Sequence, residues 1–514
     1  MRLGKSLPSA KAVNTHQTLQ LARQHHCAGR LAEAEAMYRE VLRAEPCHAD
    51  ALHLLGVLAG QTGRKEAAVD FIRQSIAVRP DHAEAHKNLG VALKDSGQMD
   101  GAIAAYRQAI ALKPDYAEAH KNLGSALFQQ GQLGDAIAAY RQAIALRPDF
   151  SEAHSNLGAA LRENGHLDEA IAACRRAIAL RPGQSDAHNN LGNALHDKGQ
   201  PDEAIAAYRT ALHLKPDFAA ACNNLGIALT TNGRTDEAIA AYQRTVALKP
   251  DYADAFGNLG HALKAHGRIE GAIAAYRNAI ALKPDSPDWR HVLAALTGEH
   301  SPTTTPASYV RKLFDPYASE FDVHLTGQLH YRVPEQLLEA VLTVAPGRQF
   351  DILDLGCGTG LCGVQFCSIA KVMVGVDLSP AMIAKASERG NYDRLITADI
   401  AEAMRDQEKN FDLILAGDLF IYVGDLGEVF AATARALRGG GLFAFSLERH
   451  DGEGFVLHPK VRFAHSLAYI RSLSGAHGFA EVHLREIIVR KSGSDDVRGW
   501  IVVLQRHSDF DAGP

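Results

Sequence analysis

From about residue 14 to residue 285 the apolar positions follow one pattern that returns every 34 residues. Pro46, Pro80, Pro114, Pro148, Pro182, Pro216, Pro250 and Pro284 keep that spacing without a slip. In the unit from Ala83 to Tyr116, the stretch AEAHKNLGVALKDSG predicts a helix that ends at Gly97, where glycine can take the left-handed conformation. A second helix, MDGAIAAYRQAIALKP, repeats Ala102, Ile103, Tyr106, Ala109 and Ile110 at helical spacing, and Pro114 stops it. Gly90 and Ala102 are small where the two helices must approach. One such pair cannot bury its own apolar face, whereas stacked copies can. The pattern predicts about eight helix pairs over 14–285, the first a degenerate one containing Tyr38 and Pro46. A polar tail (1–13) precedes them. Over 286–306 a capping helix in SPDWRHVLAAL leads into a linker, with HSPTTTPAS (300–308) polar and proline-containing.

Beyond residue 307 the pattern changes. Short apolar runs (DILDL, VMVGVD, DLILA, LFAFSL) alternate with helical stretches, which predicts βαβ units and a parallel sheet over 307–514. Two late runs, EIIVRK and WIVVLQR, have no helix between them and predict an antiparallel hairpin at one edge.

The matches Leu89, Gly90, Ala102, Tyr106, Ala109 and Pro114, repeated along 14–285, resemble the tetratricopeptide repeat family. The resemblance implies a solenoid whose first helices line a concave face. Asn88, Asn122, Asn156, Asn190, Asn224 and Asn258 recur there although asparagine is a weak helix former. A carboxamide column can hold the backbone of an extended peptide, one donor and one acceptor per residue. It is similar to the asparagine ladder of the O-GlcNAc transferases. Hydrogen bonding between neighbouring repeats, or inheritance from one duplicated unit, accounts for the column equally well. His86, His120, His154 and His188 recur likewise and read as packing residues rather than metal ligands.

Asp351-Ile-Leu-Asp-Leu-Gly-Cys-Gly-Thr-Gly360 is a buried strand running into a glycine-rich turn. Gly358 to Gly363 also fits the dinucleotide fingerprint G-x-G-x-x-G. Asp354 with Gly356, Gly358 and Gly360 instead gives acidic-x-G-x-G-x-G, and a carboxylate there suits a methionyl ammonium and opposes a pyrophosphate. Asp377 ends the second strand, where it can accept ribose hydroxyls, with Leu378 and Met382 able to lie near an adenine. Asp399 and Ile400 follow the third strand, where a carboxylate can accept from an adenine amino group. The fourth strand ends at Ala416 to Asp418. Ligands of open α/β sheets bind at such strand ends.

These residues resemble class I S-adenosylmethionine methyltransferases over 307–514. The whole chain resembles a bacterial family of predicted methyltransferases with amino-terminal tetratricopeptide repeats, on HVLAALTGE, YVRKLFDPYASEFDVHL, YRVPEQLLEA, DLFIYVGDL and RFAHSLAYIRSL. The implied architecture is an all-α solenoid followed by a doubly wound, Rossmann-like α/β domain, with S-adenosylmethionine as cofactor. In related enzymes a helix at the position of YVRKLFDPYASEFDVHL closes over the cofactor; docking between domains is the other reading. The fourth strand lacks the [DNS]-P-P-[YFW] box of amino-group methylation, and no acidic cluster there suggests magnesium. If a base acts, Asp418, Tyr422 and His465 are the candidates.

A net charge of −5 over 514 residues gives no basic excess for nucleic acid. No apolar run suits a membrane span, and no metal site is expected. Seven scattered cysteines suggest reduced thiols and a cytoplasmic protein. Three functions fit: a methyltransferase whose repeats recruit a protein or peptide, which is itself the acceptor in one version; a small-molecule methyltransferase whose repeats only dock a partner; and a non-catalytic S-adenosylmethionine binder.

Overall fold

The computed structural model describes residues 14–492 and 495–508; the expected tail, 1–13, lies outside the described residues. The chain divides at Pro250/Asp251 into two units.

The first unit is a run of paired helices from Thr15–Cys27 to Thr235–Leu248. In the second helix of the Ala83–Tyr116 unit, Met99–Leu112, the residues Ala102, Tyr106 and Ala109 are fully buried. Gly90 is required by this packing, because a Cβ there would lie 2.5 Å from Cε1 of Tyr106. Gly97 ends the first helix with φ +77.

The recurring polar residues have specific partners. His86, His120, His154 and His188 each donate Nε2–H to the carbonyl of the proline six residues earlier, at 2.9 to 3.1 Å. They bridge the end of one helix pair to the start of the next. Asn190 Nδ2 donates to Ser155 Oγ at 3.1 Å, and Asn224 Nδ2 to Oδ1 of Asn189 and Asn193 at 3.1 and 3.0 Å. Asn88 Nδ2 lies 2.8 Å from His53 Nε2, and Asn156 Nδ2 lies 3.4 Å from Ser125 Oγ. In these four the amide hydrogens point to the preceding repeat.

The second unit opens with one more helix pair, Ala253–Ala265 and Ile269–Leu282, and the capping helix Pro287–Thr297. Trp289 covers Gly257, where a Cβ would lie 2.6 Å from the indole. The same helix serves the α/β half. Asp288 accepts from Ser308 Oγ at 2.5 Å and Lys312 Nζ at 2.6 Å, and His291, 2% exposed, lies against Tyr309 and Phe463. The last helix pair and the cap thus belong to the same unit as the α/β half. The stretch read as a linker is also anchored: Thr305 N–H donates to Tyr422 O, and Gly424 and Asp425 N–H to Thr303 O, all at 2.8 Å.

The sheet comprises β1 (Phe350–Leu355), β2 (Ala370–Asp377), β3 (Arg394–Thr397), β4 (Phe411–Ala416) and β5 (Leu437–Glu448), which are parallel, with β8 (Phe479–Ser492) and β9 (Asp495–Arg506). Its order is β3-β2-β1-β4-β5-β9-β8, with β9 antiparallel to both neighbours, so the late hairpin forms one edge. A separate hairpin, β6 (Phe455–His458) and β7 (Arg462–His465), is not evident in the apolar pattern. One apolar cluster, with Phe420, Phe430, Phe443 and Phe445, fills one face. Another, with Leu337, Phe366, Leu413 and Ile501, fills the other. The reversal between β1 and β4 opens a crevice at the strands' carboxyl ends. Among the described residues no helix is long and apolar enough to cross a membrane.

Candidate active site

A cavity of about 530 Å³ occupies that crevice. Gly356, Cys357, Gly358 and Thr359 after β1, Asp377, Leu378 and Met382 after β2, and Asp399 and Ile400 after β3 form one wall. Gly417, Asp418, Leu419 and Tyr422 after β4 form another. Apolar strands lead chain polarity to this edge, and the turns that follow carry the polar groups.

The turn is held by carboxylates. Asp377 Oδ2 accepts from Gly358 N–H at 2.9 Å and Oδ1 from Ser379 N–H at 2.8 Å. Burial nevertheless raises its pKa above the ordinary carboxylate value. Gly358 has φ +55, and a Cβ there would meet nothing within 4 Å, so the turn keeps open space on its cavity side. Asp354 is 1% exposed and stands behind the turn, off the cavity wall. Its Oδ2 accepts from Tyr392 Oη at 2.6 Å, its Oδ1 has no partner, and burial raises it to about 7. Gly360 and Ala416 also lie off the wall, next to the lining residues Thr359 and Gly417. Asp399 caps the helix Ile400–Met404 through Ala401 N–H at 2.8 Å.

The aromatic segment closes the cavity. Helix Ala307–Phe314 and the turns after it place Phe314, Tyr317 and Phe321 on the wall, with the Phe321 ring 5.8 Å from that of Phe314 and 5.7 Å from that of Tyr317 between centroids. Sequence reasoning found the aromatics but not what fastens them. Asp315 Oδ1 accepts from Ser379 Oγ at 2.5 Å, Asp322 Oδ1 from Thr359 Oγ1 at 2.5 Å, and Asp322 pairs with Arg389. The segment thus closes over the glycine turn and also docks on the capping helix.

Of the candidate bases, Asp418 and Tyr422 line the cavity and His465 does not. Asp418 adopts φ +55, donates its N–H to Ser446 Oγ at 2.8 Å, and its Oδ2 receives Arg490 at 2.5 Å. Arg490, 2% exposed, also pairs with Glu448. Burial pushes the Tyr422 phenol up to about 12. His465 is fully buried, Nε2–H donates to Gly424 O at 2.9 Å, and burial pulls its pKa down to about 4. Arg490 and Arg462, both on the wall, carry no signal in the strand pattern.

Residues 352–441 match the methyltransferase domain family. Residues 92–131, 124–165 and 158–199 match the TPR repeat family, and two tetratricopeptide repeat families match 189–253 and 28–90 with 229–296. The malonyl-[acyl-carrier protein] O-methyltransferase of Salmonella typhimurium is 31% identical over 134 residues, 26% of this chain and 51% of that one. The ubiquinone biosynthesis O-methyltransferase of Bartonella quintana is 32% identical over 112 residues, 21% of this chain and 45% of that one. The chain thus spans about half the length of the curated relatives it matches. The crystal structure of MamA is 31% identical with a TM-score of 0.29, covering 32% of this chain and 97% of that one. By these matches, the chain joins an array of tetratricopeptide repeats to a class I methyltransferase domain.

Proposed function

We propose that the protein transfers the methyl group of S-adenosylmethionine to an acceptor bound in the cavity, while its repeats recruit a protein or peptide partner. The observation that carries this is the set of Asp377, Asp399 and an unfilled glycine turn on one cavity wall, at the carboxyl ends of parallel strands. The residues suit the cofactor. Asp377 has lone pairs left for ribose hydroxyls after its two backbone bonds, and Asp399 has an oxygen left for an adenine amino group. Leu378, Met382 and Ile400 supply apolar surface. Asp354 supports the turn from behind through Tyr392. The bound cofactor supplies an electrophilic methyl on a sulfonium.

The chain's own contribution is positioning. Tyr422 is a neutral phenol, His465 is neutral with its Nε2–H already engaged, and the Asp418 carboxylate already receives a guanidinium. None is a free, strong base. Holding acceptor and donor in line, with the aromatic segment excluding water, supplies the acceleration.

A small-molecule acceptor is favoured over a peptide delivered by the groove. The cavity is roofed by Phe314, Tyr317 and Phe321, and four column asparagines direct their amide hydrogens to the preceding repeat. Labelled S-adenosylmethionine incubated with the enzyme and cell extract tests both points. Label in low-molecular-weight products is expected. Label in protein would favour groove delivery, and no transfer at all would leave a non-catalytic cofactor binder.

A further inference from the structure

Beside the glycine turn the cavity forms a chamber lined by Val310, Leu313, Phe314, Tyr422 and Val423, with the Phe314 and Tyr422 rings 5.5 Å apart between centroids. Two guanidinium groups reach it, and they differ. Arg490 is enclosed and answered by two carboxylates, Asp418 and Glu448. Arg462 lines the same chamber and is half-buried, yet its side chain has no ion pair and donates no hydrogen bond to any described residue.

The backbone puts Arg462 there deliberately. It opens β7 opposite His458, and the turn between them closes through Val461 N–H on His458 O at 2.8 Å. Val461 is buried with φ +61, a conformation that a β-branched residue rarely adopts. Such strain persists only where the surroundings impose it, and it concentrates at ligand sites. Arg462 is close enough to Tyr309 and Tyr422 for its charge to act on both phenols.

A cation held against apolar walls without a counter-charge costs free energy that an anionic ligand would return. The planar guanidinium fork suits a carboxylate or a phosphate, which it can hold through two parallel hydrogen bonds. We infer that the methyl acceptor is a small, largely apolar molecule bearing one anionic group, carboxylate or phosphate, which Arg462 anchors. Its body lies against Leu313, Phe314 and Tyr422. This rests on the methyltransferase reading of the site and adds the class of acceptor. Arg462 sets specificity and positions the acceptor.

The test uses the full chain and measures binding of matched probes by calorimetry, with and without S-adenosylhomocysteine. Octanoate and octyl phosphate are compared with octanamide, and 3-phenylpropanoate with 3-phenylpropanamide. A charge-assisted pair predicts that at least one anion binds about ten- to a hundredfold more tightly than its neutral partner. Arg462→Met should remove that preference while S-adenosylhomocysteine binds as before. Arg462→Lys, which keeps the charge and loses the fork, should retain part of it. Comparing carboxylate with phosphate shows which anion is taken. Equal binding of anions and amides, no binding of any probe, or a preference that survives in Arg462→Met overturns the inference. Failure of S-adenosylhomocysteine to bind would instead defeat the methyltransferase reading, since the anion preference is read separately in its absence.

Discussion

Tyr392 Oη donates to Asp354 Oδ2 at 2.6 Å while accepting from Gly363 N–H at 3.1 Å. One phenol thus joins the end of β1 to the helix Leu361–Phe366 that leaves the glycine turn. Tyr392→Phe keeps the ring and removes both bonds, leaving Asp354 without a donor. The substitution should cost about 1–3 kcal/mol of stability and weaken S-adenosylmethionine binding together. Urea unfolding and calorimetry check the two, and unchanged binding would mean that the turn does not need this support.

The same carboxyl makes the ligand-free protein sensitive to pH. Burial raises Asp354 from 3.8 to about 7. A group raised in the folded state contributes stability that is complete below its unfolded value and lost as pH rises through the folded one. Stability should therefore fall between about pH 4 and pH 7, by an amount on the order of 4 kcal/mol for this group. Asp354→Asn cannot titrate and should flatten that part of the profile. Melting curves of both proteins at about pH 5 and 7.5 decide it, and parallel profiles would contradict the assignment.

Most of the fold was legible because its signals are periodic. The 34-residue recurrence reports packing that each repeat must satisfy anew, and Gly90 against Tyr106 shows the constraint directly. Most strands of the sheet, including the edge hairpin, announce themselves as apolar runs; β3, the short and largely uncovered RLIT, does not. What was missed depends on pairings distant in sequence. Arg490 meets Asp418 across 72 residues. Thr303 and Thr305 anchor to a loop more than a hundred residues on, so a polar stretch looked like a free linker. Arg462 stands in the short hairpin β6–β7, whose strands of four residues each are too brief to show alternation. Asp377 and Asp399, by contrast, sit where motif order puts them, because strand ends are fixed by the chain's own apolar pattern.

The asparagine column now carries a different expectation for stability. Asn156, Asn190 and Asn224 each donate to the preceding repeat. Alanine is the better helix former, which by itself would favour replacement. The lost bonds oppose that gain, at about 0.5–1.5 kcal/mol each. The triple replacement by alanine should therefore lower the urea midpoint of the helical signal modestly and leave S-adenosylmethionine binding unchanged. A midpoint at or above that of the parent would show that the bonds contribute nothing, and would return the column to the peptide-binding reading.

The capping helix has two faces, and this governs where the methyltransferase half can be cut free. Trp289 lies on Gly257 of the last helix pair, while Asp288 and His291 meet Ser308, Lys312, Tyr309 and Phe463. A fragment beginning at residue 300 keeps every residue that lines the cavity but loses Asp288 and His291. It uncovers Tyr309 and Phe463 and frees the helix Ala307–Phe314, which carries Val310, Leu313 and Phe314 to the cavity. A fragment beginning at Asp251 retains the last helix pair and the cap. The longer fragment should bind S-adenosylmethionine like the full chain. The shorter one should bind about tenfold more weakly, a loss of about 1.4 kcal/mol, and should aggregate more readily. Asp288→Ala in the longer fragment separates the contributions: it removes the acceptor for Ser308 and Lys312 while Trp289 and His291 stay in place. An intermediate affinity in that variant would identify the hydrogen bonds as part of what holds the aromatic segment closed. If all three bind alike, the cap serves only to cover the last repeat.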